Sequence, residues 1–386
     1  MKKHLLPFSP PYYNEEEEKA LLDCIKRSWT GTGPKTKEFE KLFSEYKQVQ
    51  FAAGLSSCTS ALFLSLKALG IKKGDEVITT AMTFCSSVNV IFHCGAKPVL
   101  CDIERKSKNI NVNKVEALIT SKTRAIIAVH YAGYPCEMDK LTELAEKYEI
   151  YLIEDCAHAI ESKYKNKHCG TFGEVGCFSF YATKNISIGE GGMAISNHES
   201  LINKISMLGL HGLSRDAWKR FSSVSKKAYD VVEIGYKMNL TDVQSSIGIV
   251  QLKRINKMRQ KRKELWETYN KLLSETSLEL PSLPDDINST HALHLYACGL
   301  PKKINRDEFV WRASNEFNLT LGIHYKSIPT FSVYSDMWDL KDIEKNLPIA
   351  LDWGERTISL SLSAAVSIDD CSRVVDGVTK LLKSYD

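Results

Sequence analysis

The sequence predicts an α/β protein with a mostly parallel central sheet flanked by helices, followed by a smaller C-terminal α+β domain. Three observations carry that expectation. Short apolar runs alternate with helical stretches through the first two-thirds of the chain, the pattern of strands buried on both faces and joined by helical crossovers. The 386 residues exceed what one hydrophobic core usually organises, so two domains are expected. Finally, a helical pattern from Thr241 to about residue 275, without Gly or Pro after Gly248, has the length of an element bridging two domains. The boundary is placed near residue 250, giving a large domain over 1–250, N-terminal arm included, and a small one over 251–386.

The elements follow in order. Glu15 opens an acidic-started helix expected to run to Trp29, with Leu21, Leu22, Ile25 and Trp29 on its apolar face. Ser60 to Leu69 reads as a second helix, stopped by Gly70. Strands are expected at Glu76–Thr80, Pro98–Ile103, Ala125–Tyr131 and Ile150–Glu154, with a helix from Met138 to Tyr148 before the last of them. Along the bridging helix, Val243, Ile247, Val250, Ile255 and Met258 supply the apolar stripe. A loop carrying Pro281, Pro284 and Asn288 then leads into further strands and two helices.

An apolar content of 43% and a charged content of 25% are those of an ordinary globular protein. A net charge of +4 is too small to argue for nucleic acid or a membrane surface. No apolar run approaches the ~20 residues of a membrane span. The start, Met1-Lys2-Lys3-His4-Leu5-Leu6-Pro7, lacks the hydrophobic core of a signal peptide, so a cytoplasmic location is expected. The eleven cysteines include no Cys-x-x-Cys pair, and Cys94, Cys101, Cys156 and Cys177 lie in apolar stretches. They read as reduced, small hydrophobes. No His-Glu-x-x-His spacing occurs, and no metal site is expected.

Two residues carry chemistry. Lys184 follows the run Gly176-Cys177-Phe178-Ser179-Phe180-Tyr181 and precedes Gly189-Glu190-Gly191-Gly192, while Asp155 follows the strand expected at Ile150–Glu154. Open parallel sheets bind ligands beyond the carboxyl ends of their strands, where both residues belong. A buried carboxylate and a lysine at neighbouring strand ends suit pyridoxal phosphate, whose aldehyde needs an amine and whose ring nitrogen needs an anion. Such a lysine must be partly neutral, which burial favours. The phosphate needs fixed donors, best supplied by a helix N-terminus. Ser57-Cys58-Thr59, just before the Ser60 helix, fits that need. The Gly189–Gly192 run lacks Gly-x-Gly-x-x-Gly spacing, and Glu190 would repel phosphate. It is read as a tight structural turn.

A longer ordered series surrounds these residues. It includes Trp29-Thr30-Gly31-Thr32-Gly33-Pro34, Ser56-Ser57-Cys58-Thr59-Ser60-Ala61-Leu62, Gly74-Asp75-Glu76-Val77, Thr83-Phe84 and Gly95-Ala96-Lys97-Pro98. Glu154-Asp155-Cys156-Ala157-His158-Ala159, Gly170-Thr171-Phe172-Gly173 and the Lys184 segment come next. His211-Gly212, Arg215-Asp216-Ala217-Trp218 and Gly235-Tyr236-Lys237-Met238-Asn239-Leu240-Thr241-Asp242 complete it. In this order, almost end to end, the chain resembles the DegT/DnrJ/EryC1/StrS family of nucleotide-sugar aminotransferases, on the fold-type I aminotransferase scaffold.

The resemblance implies roles. Lys184 would hold the cofactor aldehyde and shuttle the proton, and Asp155 would face the ring nitrogen. Ala157 would let the ring lie flat, opposite a stacking Phe84, and His158 would sit near the ring hydroxyl. Ser57, Cys58, Thr59 and Ser179 would surround the phosphate, joined by Asn239 of the neighbouring subunit, with Lys237 close in register. Cys58 departs from the glycine frequent there, and Ser327 and Phe331 depart from the common pattern of their segment. Trp29, Thr30, Gly31 and Thr32 would line the sugar pocket. His211, Arg215 and Trp218, with Lys219 and Arg220, would form a basic-aromatic cluster beside it, and His324 and Tyr325 would approach from the small domain.

The implied activity is amination of a nucleotide-linked keto-sugar by a homodimer with shared active sites. A 4-keto-6-deoxy sugar on UDP is the preferred acceptor and L-glutamate the donor, with pyridoxamine phosphate as intermediate. The amino sugar would serve polysaccharide, glycan or antibiotic biosynthesis. Two alternatives stand beside it. A related sugar dehydratase would carry His in place of Lys184, and a non-catalytic sensor or scaffold would have lost Lys184 or Asp155.

Overall fold

The computed structural model describes residues 5–213 and 230–385. Seven strands form the central sheet: β1 (Phe51–Leu55), β2 (Glu76–Thr80), β3 (Lys97–Cys101), β4 (Thr123–Val129), β5 (Tyr151–Asp155), β8 (Val175–Ser179) and β9 (Gly192–Ser196). A two-stranded hairpin, β6 (Lys163–Tyr164) and β7 (Lys167–His168), lies between β5 and β8 in sequence. The sheet order is β1-β9-β8-β5-β4-β2-β3. All its pairs are parallel except the two made by β9, which runs antiparallel to β1 and β8. Strands β2, β8 and β9 are buried along their whole length, as strands covered on both faces of a sheet are. β2 lies where expected, and β3, β4 and β5 lie within two residues of expectation. In the β5–β8 pair Asp155 sits opposite Cys177, so both strands deliver their carboxyl ends to one edge.

The first helix spans Glu15–Lys26, opened by a capping box between Asn14 and Glu17. It stops short of Trp29 because Ser28 adopts a left-handed φ of 54°. Its buried residues are Glu17 and Cys24, not the apolar stripe, and Leu22, Ile25 and Trp29 remain exposed. Glu17 is held inside by Gln251 at 2.6 Å and by the Arg254 guanidinium. The expected bridging helix is two helices, Asp242–Lys253 and Ile255–Leu273. Arg254 leaves helical geometry between them (φ −100°, ψ 2°), its guanidinium turned onto Glu17 and the Tyr12 carbonyl.

The cores divide near that break. Ile249, Leu252 and Ile255 pack with Phe39, Phe43, Phe178 and Phe180 against the sheet. Leu265, Trp266, Tyr269 and Leu273 pack instead with Phe309, Ile358, Leu360 and Val378 around the short strands β10 (Tyr296–Gly299) and β11 (Thr357–Leu360). The N-terminal arm, expected with the large domain, runs along this second core. Leu6 exchanges backbone hydrogen bonds with Asn318 and Thr320, and the Ser361 and Ser363 hydroxyls donate to the Phe8 and Pro10 carbonyls. Among the described residues no helix is long and apolar enough to cross a membrane.

Candidate active site

β5 ends at Asp155, and the chain turns there rather than continuing as a strand: the Ala157 N–H donates to Asp155 Oδ1 at 3.1 Å. Ala157 still reaches the cavity above the strand ends, through the turn and not through strand alternation. Asp155 Oδ2 accepts from the Ser87 hydroxyl at 2.8 Å, and Ser87 in turn lies 2.8 Å from the Thr83 hydroxyl. The Cys58 thiol stands 3.8 Å from Oδ1. Burial holds that thiol protonated, well above its ordinary value. Asp155 is thus a buried carboxylate with fixed donors and one side open to the cavity.

Beneath Asp155, Glu154 takes His130 Nε2 at 3.1 Å and the amides of Gly170, Phe172 and Gly173. Burial pushes its carboxyl up, but these donors outweigh burial and bring it below the usual carboxylate range. His130, Glu154 and Cys156 form a buried trio of metal-ligand type. With four donors already on Glu154, it reads as a hydrogen-bonded brace under β5.

The helix Cys58–Ala68 begins two residues earlier than expected and points its N-terminus into the same cavity. Ser57 caps it, accepting from the Ser60 amide at 3.0 Å. The Cys58 and Thr59 amides belong to the first turn, which has no intrahelical acceptors and favours an anion. β9 reaches this end closely: a Cβ on Gly192 would lie 2.3 Å from the Ser57 carbonyl carbon. The Gly189–Gly192 turn is therefore structural at Gly192, while Glu190 and Gly191 line the cavity mouth.

Lys184 sits on the loop joining β8 to β9. The Phe180 amide donates to Gly191 O at 2.9 Å, Ile188 to Phe180 O at 3.0 Å and Lys184 to Tyr181 O at 2.8 Å. Buried Ile186 and Ile188 anchor the loop. Next to Lys184, Asn185 donates to Glu161 at 2.8 Å and to Ala292 O at 3.1 Å, with His294 Nδ1 3.0 Å from its oxygen. Glu161 is itself paired with buried Arg262. Burial pushes the Lys184 amine down to about 8, against the opposing pull of Cys58 and Asp155.

One cavity of about 310 Å³ gathers most of the expected cofactor set: Ser57, Cys58, Thr59, Phe84, Asp155, Ala157, His158, Ser179 and Lys184. His324 and Tyr325 line it too. Phe84 is 56% exposed, its ring 5.9 Å from that of Tyr325. Burial, with Lys184, His294 and His324 nearby, pushes His158 well below the ordinary imidazole range. The lining fits pyridoxal phosphate: a partly neutral lysine, a fixed carboxylate, a small residue hydrogen-bonded to that carboxylate and a helix N-terminus.

The remaining expected residues lie elsewhere in the chain. Trp29, Thr30, Gly31, Thr32, His211 and Asn239 line a second cavity of about 770 Å³, together with Lys237 and Leu213. They are held there by Asp242, which accepts from the Gly33, Lys35 and Thr36 amides, and by an Asn239–Thr32 side-chain bond. Arg215 and Trp218, with Lys219 and Arg220, lie outside the described residues. Sequence reasoning assigned no role to Ser87, nor to Thr83 behind it. Ser87 meets Asp155 across 68 positions of chain, and neighbouring sequence carries no sign of such a contact.

A family model described as the DegT/DnrJ/EryC1/StrS aminotransferase family matches residues 11–379. The chain belongs to this family. It is 43% identical over 386 residues to an uncharacterized protein of Methanocaldococcus jannaschii, with 99% of each chain covered. It is 38% identical over 389 residues to the spore coat polysaccharide biosynthesis protein SpsC of Bacillus subtilis, covering 100% of this chain and 99% of SpsC. Among solved structures, Spr1654 of Streptococcus pneumoniae, provisionally named a sugar aminotransferase, matches with a TM-score of 0.90 at 30% identity. The match covers 99% of this chain and 100% of Spr1654, in both its PLP and PMP forms. The family, the fold and the aminotransferase class expected from the sequence are all borne out.

Proposed function

We propose that this DegT/DnrJ/EryC1/StrS aminotransferase uses pyridoxal 5'-phosphate to move an amine from L-glutamate to a nucleotide-linked keto-sugar. The observation that carries the reading is the meeting of Lys184, its amine brought down to about 8, with the fixed carboxylate of Asp155 in one cavity. When bound, the cofactor supplies an aldehyde that exchanges for an amine and a ring that accepts the electron pair released from carbon. Asp155, oriented by Ser87 and the Ala157 amide, would hold the ring nitrogen. The Cys58 and Thr59 amides, with the Thr59 and Ser179 hydroxyls, would hold the phosphate. Lys184 would carry the proton between carbons at Nζ, which only a partly neutral amine near working pH does efficiently. Glutamate gives up its amine, takes up one water and leaves as 2-oxoglutarate, and the keto-sugar takes the amine at a ring carbon and releases one water. A 4-keto-6-deoxy sugar on UDP remains the preferred acceptor, and the kinship with a spore coat polysaccharide protein favours a surface glycan as destination.

The lowered amine has a consequence in solution. Below a pH of about 8 the rate at which the cofactor-free protein combines with pyridoxal phosphate should fall about tenfold per pH unit, and above it the rate should level off. Stopped-flow absorbance across the pH range checks this. A rate still climbing at pH values near 10, as for an ordinary lysine, would contradict it.

The active unit is a homodimer with shared sites. Asn239 and the Trp29–Thr32 loop, hydrogen-bonded to each other, line a cavity that does not include Lys184 of their own chain, and in this reading they serve a partner's cavity. Apolar residues are exposed on the helix before that loop, at Leu22 and Ile25, and at Val231, Val232 and Ile234, the last 90% exposed. Mixing Lys184→Ala and Asn239→Ala proteins should restore about a quarter of wild-type activity, since half of the random dimers hold one intact site. Two inactive proteins that stay inactive when subunits exchange would remove the shared-site reading. All eleven cysteines are free, which suits the cytoplasm.

The acceptor is tested by converting the loaded enzyme with glutamate and adding UDP-, GDP- and dTDP-linked keto-sugars while following the cofactor's visible band. Return of the band with one sugar names the acceptor. Return with 2-oxoglutarate alone would leave an aminotransferase without a sugar substrate.

A further inference from the structure

Hydrogen-bond polarity around His158 fixes more than its own tautomer. The Ala132 backbone N–H donates to His158 Nδ1 at 3.1 Å, and a backbone amide only donates. Nδ1 therefore carries no proton, and the single proton of the neutral ring sits on Nε2. Nε2 lies 2.9 Å from the Tyr325 hydroxyl, so His158 donates and Tyr325 accepts. A phenol that accepts in this way keeps its own proton for a different partner.

That proton has few places to go except the cavity Tyr325 lines. The Tyr325 ring stacks on His158 (5.9 Å, 19°), with Tyr131 and Phe84 against it at 6.4 and 5.9 Å. Its N–H reaches Met82 Sδ at 3.5 Å. The preceding residue is pinned as well: His324 Nδ1 lies 3.0 Å from the Ser359 hydroxyl, and its carbonyl accepts from Tyr131 Oη, which accepts from Trp353 Nε1 at 3.1 Å. Tyr325 is a rigidly held hydroxyl facing Lys184's cavity with its proton uncommitted.

We propose that Tyr325 is a catalytic residue whose hydroxyl donates to the anionic ring oxygen next to the cofactor's aldehyde carbon, with His158 behind it as a positioning residue. The inference rests on the pyridoxal phosphate reading above. In that reading Lys184 marks the aldehyde carbon, Asp155 the ring nitrogen across from it, and the helix end at Ser57, Cys58 and Thr59 the phosphate arm on one flank, which leaves the ring oxygen for the other flank and for His158 and Tyr325 among the cavity's lining. A neutral donor held in place suits an anionic oxygen in a buried site. It also revises the role expected of His158, whose Nε2–H is already spent on Tyr325.

A donor on the ring oxygen weakens that oxygen's hold on the proton it shares with the neighbouring nitrogen. Loading wild-type and Tyr325→Phe proteins with pyridoxal phosphate and titrating the visible band should therefore show the variant's midpoint about one pH unit higher, a tenfold change. His158, His294 and His324 face this site and are held neutral, chiefly by burial; Tyr131 and Cys58 are held protonated by burial. Asp155, Cys85 and Lys184 complete the surroundings and are common to both proteins. An unmoved midpoint in Tyr325→Phe, with a shift in His158→Gln, would return the oxygen to His158 and overturn the proposal. An unmoved midpoint with a raised KM for the keto-sugar alone would place the donor on the acceptor's carbonyl, also overturning it. A wild-type protein with no visible band would instead overturn the cofactor reading, and this inference with it.

Discussion

Replacing Lys184 with alanine is expected to lower the rate of amine transfer by at least about a thousandfold, the scale of a lost general acid–base group compounded by loss of the covalent anchor. The reason is positional. Lys184 sits at the apex of a loop closed by backbone bonds between Phe180, Ile188 and Gly191, and that loop is anchored by Ile186, Ile188 and Asn185 rather than by the lysine side chain. The variant should fold with little change in Tm and should bind cofactor only non-covalently. Single-turnover absorbance with glutamate reads the rate. Borohydride reduction followed by mass mapping reads the anchor, with label on the Lys184 peptide in wild type and none in the variant. Activity within tenfold of wild type would mean that another group moves the proton.

Replacing Asp155 with alanine is the second large effect. A charge-assisted hydrogen bond in a buried site contributes about 1.5–3 kcal/mol, so pyridoxal phosphate should bind about 10- to 150-fold more weakly. The bound ring would also lose the anion that keeps its nitrogen protonated, so kcat should fall even at saturating cofactor. Asn in place of Asp separates the two effects, because it preserves shape and can still meet Ser87 but carries no charge. Equilibrium titration of the visible band and a saturation curve check both. Asp155→Asn with full kcat would show that the carboxylate serves the fold, as a partner for Ser87 and Ala157, and not the ring.

The parts legible in the sequence share a physical cause. Strands such as β2 and β5 carry short apolar centres, Val77-Ile78 and Leu152-Ile153, within segments buried on both faces, and such a segment has little freedom to be anything but a strand. Asp155 and Lys184 were legible because the ends of parallel strands are where such sheets bind ligands. Local pattern misled where a tertiary contact outweighed it. The first helix buries Glu17 instead of Leu22 and Ile25, because Gln251 and Arg254 satisfy its carboxylate inside. The long helix breaks at Arg254, whose side chain answers the same carboxylate. Ser87 and the His158–Tyr325 pair join residues 68 and 167 positions apart, and the polarity of the second pair depends on a backbone amide at Ala132 that no motif marks. The Trp29–Thr32 loop reads as a site segment in sequence, yet its place in a second cavity is set by Asp242 and Asn239 far along the chain.

Transamination onto a nucleotide sugar is read most directly by following nitrogen itself. Wild-type enzyme loaded with pyridoxal phosphate is given L-glutamate carrying a heavy amino nitrogen together with UDP-, GDP- and dTDP-linked keto-sugars, and the products are weighed by mass spectrometry. One heavy nitrogen on a single nucleotide sugar and an equal amount of 2-oxoglutarate are expected. A sugar that loses a hydroxyl without gaining nitrogen, or 2-oxoglutarate formed with no labelled sugar, would contradict this.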